Sequence, residues 1–446
     1  MTTRSPDHNS DPDYDAIVIG AGVIGSAVAL ELARRGWRIL TVDKLPTAGY
    51  GSTSASSAII RFSYSTPAGV AMAYEGLQYW LDWPEHIGDV GDQPLATYVN
   101  QPMLLPKTPD GHHEKVVPLL TELGVRFEDL DADETAARFP LVDLRVFGPP
   151  ARLDDVDNPF WGEPDELHDG VIVMPEAGYI SDPQLSAQNL AAAAASAGAD
   201  FRFRTEIASI NRSNGRVTGV TTIDGERITS PVVVNVAGPH ARIVNEMAGV
   251  LGSMNRTSRA LRREVYIIPA PPGSNFDETG FSMGDGDTGV YFRGERGNNI
   301  LIGNAEPECD DLEWVDDPDS VDDVLSDDGF ELHALRTARR VKGTAIPLQK
   351  SGLVSMYDAT PDWTPIYDRT DLDGFYVACG TSGNQFKNAP VAGHAMAELI
   401  TAVEAGHDHD ADPLVVTGRY TGLPIDMGTF TRNRAVPDDT HMNVFG

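Results

Sequence analysis

The stretch "DAIVIGAGVIGSAVALELARRGWRILTVDK", residues 15–44, constrains the fold more than any other part of the chain. Four apolar residues, Ala16 to Ile19, suit a buried strand, and a glycine turn leads from them into an apolar helical pattern from about Ile24 to Arg35. A second apolar run, Ile39 to Val42, completes a βαβ unit. Gly20, Gly22 and Gly25 form G-x-G-x-x-G between the first strand and the helix, and Asp43 ends the second strand 18 residues after Gly25. Gly20 permits the tight turn, Gly22 lets backbone approach a pyrophosphate, and Gly25 allows close helix-to-strand packing. The helix start, with Ala21, Val23 and Ile24, offers N–H groups and a positive dipole end to phosphates. Asp43 can accept from ribose hydroxyls, with Lys44 beside it.

A length of 446 residues accommodates two domains or one interrupted by another. A net charge of −32 argues against nucleic-acid binding, which needs a basic face. Only Cys309 and Cys379 occur, which excludes a disulfide framework and a cysteine-rich metal site and fits a reducing cytoplasm. Residues 1–13 are polar and acidic, expected to form a disordered tail and no signal peptide; no stretch reads as a membrane span.

Further along, residues 186–239 alternate helix and strand, with a hairpin at Asn214-Gly215 and a buried strand running from Val232 to Val236 into Gly238. "EVYIIPA", "GVYFRG" and "NNILIGN" suggest a second sheet. The acidic segment from Cys309 to Arg336 reads as solvated surface that includes a helix, since its spacing misses the calcium-loop pattern. "GHDHDAD" from Gly406 reads as a polar loop after a helix, and no metal site is expected. "ACGTSGNQFKNAP" returns to strand, glycine turn and helix, with Pro390 in the first helical turn.

The fingerprint with "TAGYGSTSASSAIIRFSYS", "VVVNVAGPHA", "SMYDATPDWTPIYD" and "YVACGTSGNQFKNAPVAG" resembles the D-amino-acid oxidase and glycine oxidase superfamily of flavoproteins. Within it the chain is most similar to the sarcosine oxidase and N-methyl amino acid oxidase branch. The resemblance implies an α/β fold: a glutathione-reductase-type Rossmann FAD-binding domain interleaved with an α+β catalytic domain built on a large mixed sheet. The expected FAD-binding segments are 14–92, 170–245 and 352–446, with 93–169 and 246–351 forming the substrate domain.

The resemblance makes Arg61 and Lys387 a carboxylate clamp, with Tyr357 beside it. A guanidinium can bind both carboxylate oxygens and an ammonium adds a point charge. Candidate cofactor contacts are Gly51, Ser52, Thr53, Ile60, Ile207, Ala237, Gly238, Gly380, Ser382, Gly383, Asn384, Gln385 and Lys387, with backbone N–H groups of Gly383 and Asn384 expected at the flavin's pyrimidine end.

Three departures from that branch matter. Ser355 stands where a cysteine tethers flavin, and Ser54, Ala55 and Ser56 include no histidine for the other tether, so noncovalent FAD is expected. Leu301 replaces a lysine that favours charge on oxygen, and Ala305 replaces a histidine. Ala58 stands where an arginine is frequent. The implied activity is oxidation of the C–N bond of an amino acid or N-methylated amino acid to an imine by hydride transfer to flavin N5. Electrons would pass to O2 or another acceptor, and the substrate would be a small amine with a carboxylate. The alternatives are a hydroxy-acid or glycerol-phosphate dehydrogenase, or a weakly catalytic flavin-binding subunit.

Overall fold

A computed structural model describes residues 11–109 and 111–435. Its first layer is a six-stranded sheet in the order Ile366–Arg369, Phe375–Cys379, Val233–Asn235, Ala16–Ile19, Ile39–Asp43, Asp200–Phe203. The four pairings from Phe375–Cys379 to Asp200–Phe203 are parallel, and only the edge strand Ile366–Arg369 runs antiparallel. Sheets of this kind are covered on both faces, which is why their strands read as continuous apolar runs. Ala16, Ile17 and Val18 have no exposed surface, and helix Val23–Arg34 is buried along eleven residues between helices Pro183–Ser196 and Ala389–Glu404.

The second large layer is a nine-stranded mixed sheet. Its order is Trp314–Val315, Arg259–Pro269, Asn299–Asn304, Val290–Glu295, Ser282–Asp285, Met103–Pro106, Val171–Met174, Glu128–Leu130, with Gly352–Ala359 on the other edge of Arg259–Pro269. Strands Val171–Met174 and Gly352–Ala359, which lie in segments expected to serve the dinucleotide unit, hydrogen-bond into this sheet. Antiparallel register aligns side chains across it: Tyr291 opposes Gly303, Arg293 opposes Leu301, and Arg263 opposes Ser355. Directly paired residues share a face, and since Val265 also opposes Gly303, the side chains of Arg263, Tyr291, Arg293, Leu301 and Ser355 project the same way.

The hairpin turn falls at Asn214-Gly215, with φ of 52° and 80° as a primed turn requires. Of the expected tail, residues 1–10 lie outside the described residues. Asp13 is ordered: its carboxylate accepts from the Thr229 N–H at 2.8 Å and the Thr229 hydroxyl at 2.7 Å. Among the described residues no helix is long and apolar enough to cross a membrane.

Candidate active site

A cavity of about 610 Å³ runs from the glycine turn of the six-stranded sheet to the inner face of the nine-stranded one. That volume suits a pocket for a small ligand or cofactor. At its first end, a Cβ on Gly20 would lie 2.3 Å from the Val236 carbonyl oxygen, and φ of 110° bars most side chains there. A Cβ on Gly25 would lie 2.0 Å from the Gly20 carbonyl, so helix and strand touch backbone to backbone. The Asp43 carboxylate accepts from the Ala21 N–H at 2.7 Å and the Leu45 N–H at 2.8 Å, bracing the turn. Thr53 accepts from the Val23 N–H at 3.1 Å, and the N-cap residue Gly22 has no side-chain cap. A close-approach helix N-terminus with no side chain on its cap residue, beside an acid, fits the pyrophosphate and ribose of a dinucleotide.

Gly20, Gly22, Val23, Ile24, Gly25, Asp43, Lys44, Gly51, Ser52, Thr53, Ile207, Ala237, Gly238, Gly383, Asn384, Gln385 and Lys387 all border this cavity. Ala21, Ile60, Gly380 and Ser382 are not among its walls. Ala21 contributes an N–H to Asp43 while its methyl packs on Ala48 and Ala191, and Ile60 turns into the core. Gly380 donates to the Asp358 carboxylate at 2.6 Å, and Ser382 bonds Thr360, so both shape the turn from behind.

The acidic segment does more than face solvent. Asp310 is held by Arg336, which has no exposed surface, through bonds of 2.7 and 2.8 Å. Asp319 then reaches back across the cavity rim to the Lys44 ammonium at 2.5 Å and the His240 Nε2 at 3.0 Å. Pro318, Asp319, Val321, Asp322 and Asp323 form part of the wall. Burial, then the Lys44 charge, holds the His240 imidazole below its usual pKa. Lys44, expected to serve the cofactor, has its amine engaged by this strap.

At the other end, Arg61 and Lys387 meet around one aromatic ring. The Arg61 guanidinium lies 4.6 Å from the Tyr64 ring centroid and the Lys387 ammonium 4.9 Å from it. Arg61 is 5% exposed and Lys387 2%. Arg61 donates to the Ser63 carbonyl at 2.6 Å, while Lys387 donates to the Asn384 carbonyl at 2.7 Å, which also accepts from the Tyr64 hydroxyl at 2.7 Å. Burial first and the neighbouring Arg61 second push the Lys387 amine well below its ordinary pKa. An anion placed between the two would relieve that penalty.

The Asn384 N–H, expected to face a flavin, is instead spent inside the turn on the Thr381 carbonyl at 3.0 Å, because Gly383 at φ 71° closes the turn there. A Cβ on Gly383 would lie 2.3 Å from the Tyr357 ring, so the turn and that aromatic pack without a gap. The Tyr357 hydroxyl meets that of Tyr291 at 3.2 Å, which meets the Ser57 hydroxyl at 3.1 Å. Burial holds both phenols above their ordinary pKa, so each stays a neutral donor and acceptor.

Three groups here have no counterpart among the residues singled out by sequence. Arg263 and Tyr291 border the cavity, and the Arg263 Nη2 lies 3.1 Å from the buried Glu306 carboxylate. Arg293 opposes Leu301, bonding the carbonyls of Ser57 at 2.8 Å and Gly294 at 2.7 Å and pairing with Glu295 at 2.9 Å. The signal that could have found them is the two-residue alternation Arg263-Val265 and Tyr291-Arg293, which places each pair on one sheet face. The "GHDHDAD" loop differs too: His409 has no exposed surface and sits 3.6 Å from Asp368. Among the described residues no group of His, Cys, Asp and Glu is arranged to hold a metal ion.

Residues 15–399 match the model of the family described as FAD dependent oxidoreductase. The chain is 25% identical over 412 residues to sarcosine oxidase subunit beta from Rhodobacter capsulatus, covering 87% of this chain and 84% of that one. It is 25% identical over 411 residues to glycine oxidase from Geobacillus kaustophilus, covering 89% and 95%. The solved structure of L-proline dehydrogenase from P. horikoshii superposes with a TM-score of 0.70 at 21% identity, covering 87% of this chain and 93% of that one. A family match from the first strand into the last long helix agrees with the cradle that the glycine turn builds, and the chain belongs to the FAD-dependent oxidoreductases of this family.

Proposed function

We propose that the protein oxidises the C–N bond of a carboxylate-bearing amine or amino acid, with the carboxylate seated between Arg61 and Lys387. The observation that carries this reading is the pair of buried cations around Tyr64, at the cavity end away from the glycine turn. Two desolvated donors of positive charge recognise an anion, and the relatives' names speak of sarcosine, glycine and L-proline, which all carry a carboxylate. FAD, bound noncovalently since Ser355 cannot form a thioether, would accept a hydride from the carbon next to nitrogen.

The chain's own residues bind and orient. Arg61 and Lys387 fix the carboxylate, the neutral phenol of Tyr357 stands beside it, and the closed wall of Tyr291, Gly383 and Tyr357 keeps water from the reacting carbon. No residue need act as strong base if the amine binds unprotonated, and the imine product hydrolyses after release. Leu301 offers no charge to oxygen, and Arg293 across from it already serves two carbonyls and Glu295. We therefore assign electron transfer to an acceptor other than O2, in a reducing cytoplasm consistent with two unpaired cysteines.

The test is anaerobic titration of the holoenzyme with N-methyl amino acids, primary amino acids and hydroxy acids, read as loss of flavin absorbance. Bleaching by amines and not by hydroxy acids is expected; the reverse pattern overturns the reading. Admission of O2 to the bleached enzyme should restore colour no faster than for free reduced flavin, and prompt hydrogen peroxide refutes the acceptor assignment.

A further inference from the structure

Arg263 is a cation of the same cavity that stands outside both the glycine turn and the Arg61–Lys387 pair. It projects from strand Arg259–Pro269 into the cavity and is 8% exposed. Its Nε and Nη2 donate no hydrogen bond among the described residues. It pairs with the Glu306 carboxylate, 3.1 Å from Nη2 but outside hydrogen-bonding geometry, and its guanidinium carbon lies 5.9 Å from the Tyr357 ring. A guanidinium has five donors in a planar fork and can serve two carboxylates from different edges. Glu306 balances part of the charge from one edge of the fork, and the donors that remain without a hydrogen-bond acceptor can take a ligand that supplies one.

Position narrows the ligand. Tyr357 joins the two cationic groups: Arg263 lies over one side of its ring, and the Gly383 turn, which leads in four residues to Lys387, packs against that ring as well. A molecule anchored at Arg61 and Lys387 that extends past Tyr357 therefore arrives at Arg263. We propose that Arg263 is a second anion anchor and that the substrate is an amine carrying two carboxylates, one for each anchor. This rests on the function proposed above and names its substrate class.

The test uses non-reacting ligands on the holoenzyme, with binding read from the perturbed visible spectrum of the flavin. Propionate is compared with succinate and butyrate with glutarate, so that each pair differs by one carboxylate. In wild type the dicarboxylate should bind at least about tenfold more tightly, and Arg263→Met should erase that advantage while leaving monocarboxylate affinity within about threefold. Arg263→Lys keeps the charge without the fork and should retain part of the preference. It decides the matter if the Met variant loses flavin or melts early. Equal affinity within each wild-type pair overturns the proposal. Equal weakening of both members of a pair by Arg263→Lys does so too. Anaerobic bleaching by N-methylglycine and N-methylaspartate separates the two claims. If neither bleaches, the amine reading falls while dicarboxylate preference still stands or fails on the spectra. If both bleach with equal kcat/KM in wild type and in Arg263→Met, the amine reading holds and the second anchor is refuted.

Discussion

Lys387→Met tests the anion clamp where the physics is most exposed. Methionine nearly matches the lysine stem in volume, so the packing around it changes little. What goes is an amine that is 2% exposed and donates to the Asn384 carbonyl at 2.7 Å, next to Arg61 around Tyr64. A hydrogen bond to a charged group contributes about 1.5–3 kcal/mol, so KM for an amino acid should rise roughly 10- to 150-fold with kcat nearly unchanged. The sign of the pH dependence follows from the depressed pKa. A carboxylate beside the amine favours its charged form, so wild type takes up a proton on binding, and affinity falls as pH rises through the lowered pKa of the free enzyme. That slope should vanish in Lys387→Met. For stability the folded chain sheds a proton that the unfolded chain keeps. The amine therefore costs stability below its unfolded pKa, increasingly as pH falls toward the folded one. The variant should melt at or above wild type near neutral pH and retain its FAD. Carboxylate inhibitor titrations from pH 6 to 10, with flavin content and melting curves, check all of this. An unchanged KM, a surviving pH slope or loss of FAD would refute the clamp.

Three further outcomes are expected. Gly383→Ala places a methyl 2.3 Å from the Tyr357 ring at a φ of 71°, so urea unfolding should show a loss of about 1–3 kcal/mol together with a raised KM. Tyr357→Phe removes the hydroxyl that meets Tyr291 at 3.2 Å; a cost of about 1 kcal/mol in stability and a few-fold fall in kcat/KM should appear, and no change in either would show the phenol to be packing alone. Acid precipitation of the holoenzyme should leave all flavin colour in the supernatant, since Ser355 offers no thiol; colour in the pellet would mean a covalent bond elsewhere.

Gly20, Gly22, Gly25 and Asp43 were legible because glycine spacing and a strand-terminal acid are local, and local geometry is what a stretch of sequence encodes directly. Arg61 and Lys387 lie 326 residues apart and are brought together only by resemblance, since no periodicity links the residue after strand Ile59–Ile60 to a turn before helix Ala389–Glu404. Arg263, Tyr291 and Arg293 stayed hidden for a different reason. Alternation along a strand says which residues share a face, but the partner strand and its register decide which face meets the cavity. Asp319 read as solvated acid because nothing local marks one aspartate among many as the one that reaches Lys44 and His240. The bond from the Asn384 N–H to the Thr381 carbonyl is not legible in sequence because a turn's internal bond depends on φ at Gly383, which composition alone leaves open.

The cavity wall begins at Ile19 and ends at Lys387, and it includes the strap around Asp319. Gly20 packs on the carbonyl of Val236, and the strand that carries Val234 in turn pairs with Phe375–Cys379. A chain leaving the ribosome therefore exposes its glycine fingerprint long before the pocket around it can exist. The walls that would enclose FAD are complete only in the finished polypeptide, where Asp319 pairs with Lys44 at the rim. A dinucleotide held in this cavity would border residues of both sheets, so its binding energy would become a term in their joint resistance to unfolding, worth about 4 kcal/mol at a thousandfold excess over Kd.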